Sequence, residues 1–232
     1  MIPPLPRGRI SLCLALCLTL GSPSWAGTVM PASGTMEVAF SPWDDAEGLV
    51  LRTLASARHS ILVQAYVLTS RNIANALQEA KARGVDVRIL ADKEQMERNE
   101  SSLIPQLAGA GIPIRLETRY SAAHNKVLVL DADNAHPVVV TGSYNFSWSA
   151  QARNAENLLV LRDNPKLAKA YQDNWLRQWS EAEPLEASVG MDGNVSPAPR
   201  TTRRASRSGD ASLCSLLTAQ ERRLVGSDCR QR

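Results

Sequence analysis

His124-Asn125-Lys126-Val127-Leu128-Val129-Leu130-Asp131, taken together with Gly142-Ser143-Tyr144-Asn145 and Glu156-Asn157, decides how this chain is read. Lys126 leads into four apolar residues, the pattern of a strand buried on both faces. Side chains two apart in a strand share a face, so His124 and Lys126 face together, as do Ser143 and Asn145. If the strand Val138 to Thr141 pairs with the one after His124, these four polar groups converge at one end of a sheet. A neutral imidazole can attack phosphorus, an ammonium can neutralise phosphoryl oxygens, and a hydroxyl and an amide can donate to developing charge. Glu156 is expected to accept a hydrogen bond from the other ring nitrogen of His124, fixing its tautomer and raising its basicity. Asp131, behind a buried run, reads as a structural or salt-bridging group.

Outward from this segment the pattern alternates. Met36 to Phe40 reads as a strand ended by Ser41-Pro42. Asp44 and Asp45 then open a helix whose apolar stripe is Leu49, Val50, Leu54 and Ala57. Ser60 to Leu68 is a nearly continuous apolar strand, and Ile73, Ala76, Leu77 and Ala80 recur at helical spacing before Gly84. Val85 to Leu90 and Ile112 to Leu116 are further strands, with a helix expected over Ser101 to Ala110 between them. After Asn157 to Leu161, Asn164-Pro165 starts a helix in which Leu167, Ala168, Tyr171, Trp175, Leu176 and Trp179 form a core stripe. The fold class expected is α/β, a mixed and mostly parallel β-sheet flanked by helices.

Three segments are expected: a signal peptide at 1–26, a catalytic domain at 27–186 and an Arg-rich linker and tail at 187–232, with residues 187–211 disordered. Arg7 and Arg9 precede the apolar run Ile10 to Leu20, and Ser24-Trp25-Ala26 offers a cleavage site, so the chain reads as exported, periplasmic or secreted, without a stable membrane anchor. Residues 27–196 hold 16 Lys and Arg against 20 Asp and Glu, while the last 36 residues hold eight Arg against three acids. The body is therefore not a basic nucleic-acid surface on charge alone, and phosphate attraction has to be local. Cys214 and Cys229 would be the cysteines of the mature chain; they either pair in an oxidising compartment, for up to ~3 kcal/mol, or are free or intermolecularly paired thiols. The sequence has no zinc-spaced His/Cys cluster, no phosphate-binding glycine loop and no acidic pair of the two-metal kind, so no metal or cofactor is expected. His59 and His136 lack a lysine at the required spacing and read as structural or solvated.

At the residues first quoted, the sequence resembles the phospholipase D superfamily, whose signature is His-x-Lys-x4-Asp with a following Gly-Ser-x-Asn. More closely it is similar to the bacterial branch of small exported endonucleases with one motif per chain, described as EDTA-resistant. The similarity runs from about Met36 to Trp179 and includes Gln64-Ala65-Tyr66, Arg83-Gly84-Val85-Asp86-Val87, Gly111-Ile112-Pro113 and Asn154-Ala155-Glu156-Asn157. Ten residues separate Asp131 from Gly142, where that pattern usually has six, and the extra Asp133-Asn134-Ala135-His136 belongs in a lengthened hairpin tip. The resemblance implies catalytic roles for His124, Lys126, Ser143, Asn145 and Glu156, with Asp131, Gly142 and Asn157 as structural motif residues. It also implies a homodimer, because one His-x-Lys supplies only half of a two-histidine site, with one His124 forming a phosphohistidine and the other moving protons. The substrate expected is nucleic acid, DNA or RNA. A phospholipase or phosphatidyl transferase would use the same residues, and a non-catalytic nucleic-acid-binding module is the alternative outside enzymes.

Overall fold

The structure, a computed structural model, describes residues 27–185; the expected signal peptide at 1–26 and the tail expected over 187–232, with Cys214 and Cys229, lie outside the described residues. Thr35–Ser41 (β1) leads to Ala46–Ser56 (α1), whose N-cap Asp45 accepts from the Gly48 amide. Ser60–Ala65 (β2) is followed by Arg71–Ala82 (α2), capped by Ser70, with Ile73, Ala74, Leu77 and Ala80 buried. Asp86–Asp92 (β3) runs into Lys93–Arg98 (α3), and Ile104–Gly109 (α4) precedes Ile114–Glu117 (β4). Lys126–Leu130 (β5), Val138–Gly142 (β6), Trp148–Ala152 (α5) and Glu156–Arg162 (β7) carry the quoted motifs. Pro165–Glu181 (α6) and the two-residue strand Glu183–Pro184 (β8) complete the described chain.

The strands form one sheet in the order β1-β7-β6-β5-β2-β3-β4-β8. It is mixed, as expected, but the expectation of a mostly parallel sheet is corrected: β2-β3 and β3-β4 are parallel and the other five pairings antiparallel. The reason lies in the connections. Helices cross over between β2, β3 and β4, whereas β5 and β6 are joined by a hairpin, which reverses direction. In β2 the alternation is visible residue by residue. Ile61, Val63 and Ala65 face the core shared with α1, α2 and α4, while Leu62 faces the second core under α6, with Val127, Val129, Val139 and Trp175. The Trp175 indole donates to the Val63 carbonyl at 3.0 Å, so the buried ring keeps its polar atom satisfied. Leu176, expected in the α6 stripe, is instead exposed; at 41% it sits off the face that Tyr171, Trp175 and Trp179 turn to the sheet.

β5 is buried along its whole length and is closed at its C-terminal end by Asp131. That carboxylate accepts from the Arg58 amide at 2.9 Å and from the His59 and Ser60 amides at 2.8 Å each. These are donors at the turn from α1 into β2, so one side chain pins the central strand to its neighbour's start. The role is structural, through amides and not a salt bridge. The lengthened segment lies in the tip between β5 and β6, as expected, and leaves Leu128↔Val140 and Leu130↔Val138 in register. It is tied down by Gln172 donating to Asp133 at 2.6 Å and by His136 lying 2.9 Å from Asp163. Replacing Asp131 with Ala strands three amides at once and should lower stability by about 3 kcal/mol, read as a shifted urea midpoint with an unchanged slope. Asp131→Asn, which keeps one acceptor oxygen, should lose less.

Candidate active site

The N-terminal end of β5 sits beside the C-terminal ends of β2 and β3, and the pairing Ala65↔Lys126 continues one step further through the Tyr66 amide, which donates to the Asn125 carbonyl at 3.0 Å. His124 is exposed in the segment just before the strand, while Lys126 is 4% exposed. The two meet: Lys126 Nζ lies 2.9 Å from His124 Nδ1 and donates to the His124 carbonyl at 2.7 Å. A charged ammonium can only donate, so in this arrangement Nδ1 accepts and the ring proton resides on Nε2. Burial pulls the pKa of Lys126 below the usual lysine range, to about 8, and the Glu156 carboxylate works in the opposite direction.

A second group of side chains gathers where β6 hands over to β7. Gly142 has φ +145°, and a Cβ there would lie 2.2 Å from the Asn157 carbonyl oxygen, so the close crossing requires glycine. That carbonyl accepts from the Ser143 and Tyr144 amides at 3.1 and 3.3 Å. Ser143 Oγ donates to Glu156 at 2.5 Å and accepts from the Asn157 amide at 3.1 Å and its side chain at 3.3 Å. The other oxygen of Glu156 accepts from Asn154 Nδ2 at 2.8 Å. Among the described residues the buried amide oxygen of Asn145 has no hydrogen-bond partner, and neither has the neighbouring Tyr144 hydroxyl. The Tyr144 hydroxyl is pushed well above the usual tyrosine range by burial, and then by Glu47, Asp45 and Glu156.

His124 and Lys126 are therefore brought together, and so are Ser143, Glu156 and Asn157. The expected Glu156–His124 hydrogen bond is not formed: both carboxylate oxygens are taken by Ser143 and Asn154, and Nδ1 faces Lys126. Ser143, expected to donate to substrate, has its hydroxyl hydrogen committed to Glu156. Four supporting residues had no role in the sequence reading. The Tyr66 ring lies 4.3 Å from the His124 ring and 4.7 Å from Lys126 Nζ. Its hydroxyl accepts from Gln95 Nε2 at 2.9 Å. Asp92 caps α3 through the Gln95 amide at 2.8 Å and holds the Ala123 amide at 2.7 Å, which fixes the residue before His124. Tyr66 and Asn154 stood in the quoted similarity; Gln95 and Asp92 carried no spacing signal. Among the described residues no group of three or more His, Cys, Asp and Glu is placed to hold a metal ion.

Comparison with known proteins follows these residues. Residues 50–179 match the family described as cardiolipin synthase, PLD-like domain. The chain is 37% identical over 140 residues to a phospholipase D of Rickettsia prowazekii, covering 60% of this chain and 65% of that protein. A mitochondrial cardiolipin hydrolase of Xenopus tropicalis is 32% identical over 141 residues, covering 61% of this chain and 64% of that one. This chain thus spans a little less than two thirds of either relative. Nuc of Salmonella typhimurium, a phospholipase D family member of known structure, is 34% identical with a TM-score of 0.62; the match covers 66% of this chain and 99% of that one.

The depressed pKa of Lys126 has a measurable consequence. Its ammonium is lost as pH rises through about 8, not near the ordinary lysine value, so anion binding should weaken over that interval. Sulfate, which keeps its charge there, is the probe: its affinity by calorimetry should fall between about pH 7 and pH 9. Lys126→Arg, which stays charged, should flatten the profile.

Proposed function

The chain belongs to the phospholipase D-like family, and from that premise we propose that it is a phosphodiesterase hydrolysing DNA or RNA at a site shared by two copies of the chain. The observation that carries the reading is the Lys126 ammonium 2.9 Å from the His124 imidazole, a cation and a nucleophile at one strand end. His124, Ser143 and Asn157 are exposed, so a polymer backbone can reach them without entering a pocket.

The chemistry starts with competition for the ammonium. A phosphate drawing Nζ to its own oxygens releases Nδ1, which can then carry the ring proton and leave Nε2 a free lone pair. Nε2 attacks phosphorus, the bond to the leaving oxygen breaks, and His124 of a second copy supplies that oxygen with a proton. The same second imidazole then takes a proton from water, whose oxygen displaces the histidine and restores it. Lys126 and the Asn145 amide stabilise the phosphoryl oxygens. Ser143, Glu156 and Asn157 brace the wall beside them, and the carboxylate partly offsets the burial that lowers the Lys126 pKa.

An exposed apolar strip supports the proposed second copy. Met36, Val38 and Phe40 share one face of the edge strand β1 and are 67%, 53% and 48% exposed. They pair with Leu161, Leu159 and Asn157 of β7, so the apolar strip runs up to the site. The signal-like sequence at 1–26 supports a place outside the cytoplasm, periplasmic or secreted. The relatives named phospholipase D and cardiolipin hydrolase favour a second reading, hydrolysis of a phospholipid headgroup by the same residues.

Purified mature protein should nick plasmid DNA in excess EDTA and release little choline from phosphatidylcholine; the reverse pattern selects the lipid reading. His124→Ala should lower turnover by roughly a thousandfold or more with an unchanged melting temperature, since the exposed ring holds little of the fold together. Light scattering should give a dimer, and Val38→Arg should yield an inactive monomer. A fully active monomer would overturn the shared site.

A further inference from the structure

Four tryptophans lie among the described residues, and they divide sharply. Trp175 and Trp179 stack on each other at 4.7 Å beneath the sheet, whereas Trp43 and Trp148 are 82% and 60% exposed. An indole left in water forfeits the apolar burial that makes tryptophan useful to a fold, so exposed ones next to a site point to a ligand. Trp148 opens α5 three residues after Asn145. The guanidinium of Arg153, from the C-cap of the same short helix, lies 4.8 Å from its ring centroid.

The pair is rigidly mounted. Ser147 accepts from the Ala150 amide at 3.2 Å, and Ser41 Oγ donates to the Ala150 carbonyl at 2.6 Å. Gln151 donates to the Asp44 carbonyl and accepts from the Glu47 amide, each at 2.9 Å. Asn154, the residue after Arg153, holds Glu156. An aromatic face with a stacked cation thus stands on the segment joining Asn145 to Glu156.

We propose that Trp148 and Arg153 form a stacking platform for an unpaired base next to the scissile phosphate, making single-stranded nucleic acid the preferred substrate. The inference rests on the nucleic-acid reading above. An indole accepts any base because every base has a π-face, and the guanidinium adds charge for the adjoining phosphate. In a duplex those base faces are covered by their neighbours in the stack, so the platform gains its contact only with an unpaired strand. Trp43 is the poorer candidate, because Asp44, Asp45 and Glu47 flank it with the wrong sign for a polyanion.

The test uses wild type, Trp148→Ala and Trp148→Phe on a short single-stranded oligonucleotide, its duplex, and bis(4-nitrophenyl) phosphate as a small diester. Wild type should favour the single strand. Trp148→Ala should raise KM for the single strand about tenfold more than KM for the small diester, and Trp148→Phe should recover most of that loss. Oligonucleotide binding should quench indole fluorescence in wild type more than in Trp148→Ala. Equal KM values on the single strand for all three proteins would overturn the platform. So would a change of solution mass in Trp148→Ala, which makes the surface a subunit contact, or a loss of partitioning to phosphatidylglycerol vesicles with cleavage unaltered. Wild-type inertness toward both oligonucleotides, with the small diester still hydrolysed, would remove the nucleic-acid reading itself.

Discussion

Burial of β5 on both faces is the constraint to which the rest answers. Five consecutive residues, Lys126 to Leu130, are buried, so polar chemistry can be placed only at the two ends of the strand. The ends are settled in opposite ways. At one, Asp131 receives three amide hydrogens and its charge is fully answered by the fold. At the other, the Lys126 ammonium finds a carbonyl, an imidazole and an aromatic face but, among the described residues, no carboxylate in direct contact. The satisfied end is where the chain is fastened, and the under-compensated end is where an anion has something to gain.

The same contrast orders the site's remaining groups. Ser143, Asn154 and Asn157 spend their hydrogen bonds on Glu156 and on one another, which makes that side a stiff wall. The His124 side is lighter, resting on Tyr66 and on the Ala123 amide held by Asp92. A stiff wall facing a side whose proton position depends on one ammonium is an arrangement in which the histidine has more freedom to change than the scaffold.

Much of this was legible in the sequence, and the omissions have physical causes. β5 and the apolar faces of α1 and α2 follow directly from period-two and period-3.6 patterns, because burial leaves those patterns little freedom. The strand expected from Ser60 to Leu68 stops at Ala65, since beyond it the ladder thins to the Tyr66–Asn125 hydrogen bond and the Leu68–Phe146 bridge. The short helices α3 and α5, of six and five residues, are too brief to show a stripe; in the structure Asp92 and Ser147 cap them. Sheet direction was misjudged because the alternation of strands and helices in the first half was extended to a second half built on a hairpin. In the site, residue types and spacing located the groups but not their partners. Whether Glu156 meets His124 or Ser143 depends on the crossing at Gly142, a backbone detail that spacing does not encode.

The tip between Asp131 and Val138 gains a different meaning from its position. A five-residue strand at about 3.4 Å per residue puts it roughly 17 Å from Lys126. Side-chain ties to α6 and Asp163 anchor it, and no strand pair runs through it. Length added here meets neither the sheet register nor the candidate site. The chain therefore has a margin where length can vary without reaching the chemistry, and Asp133 to His136 occupy it.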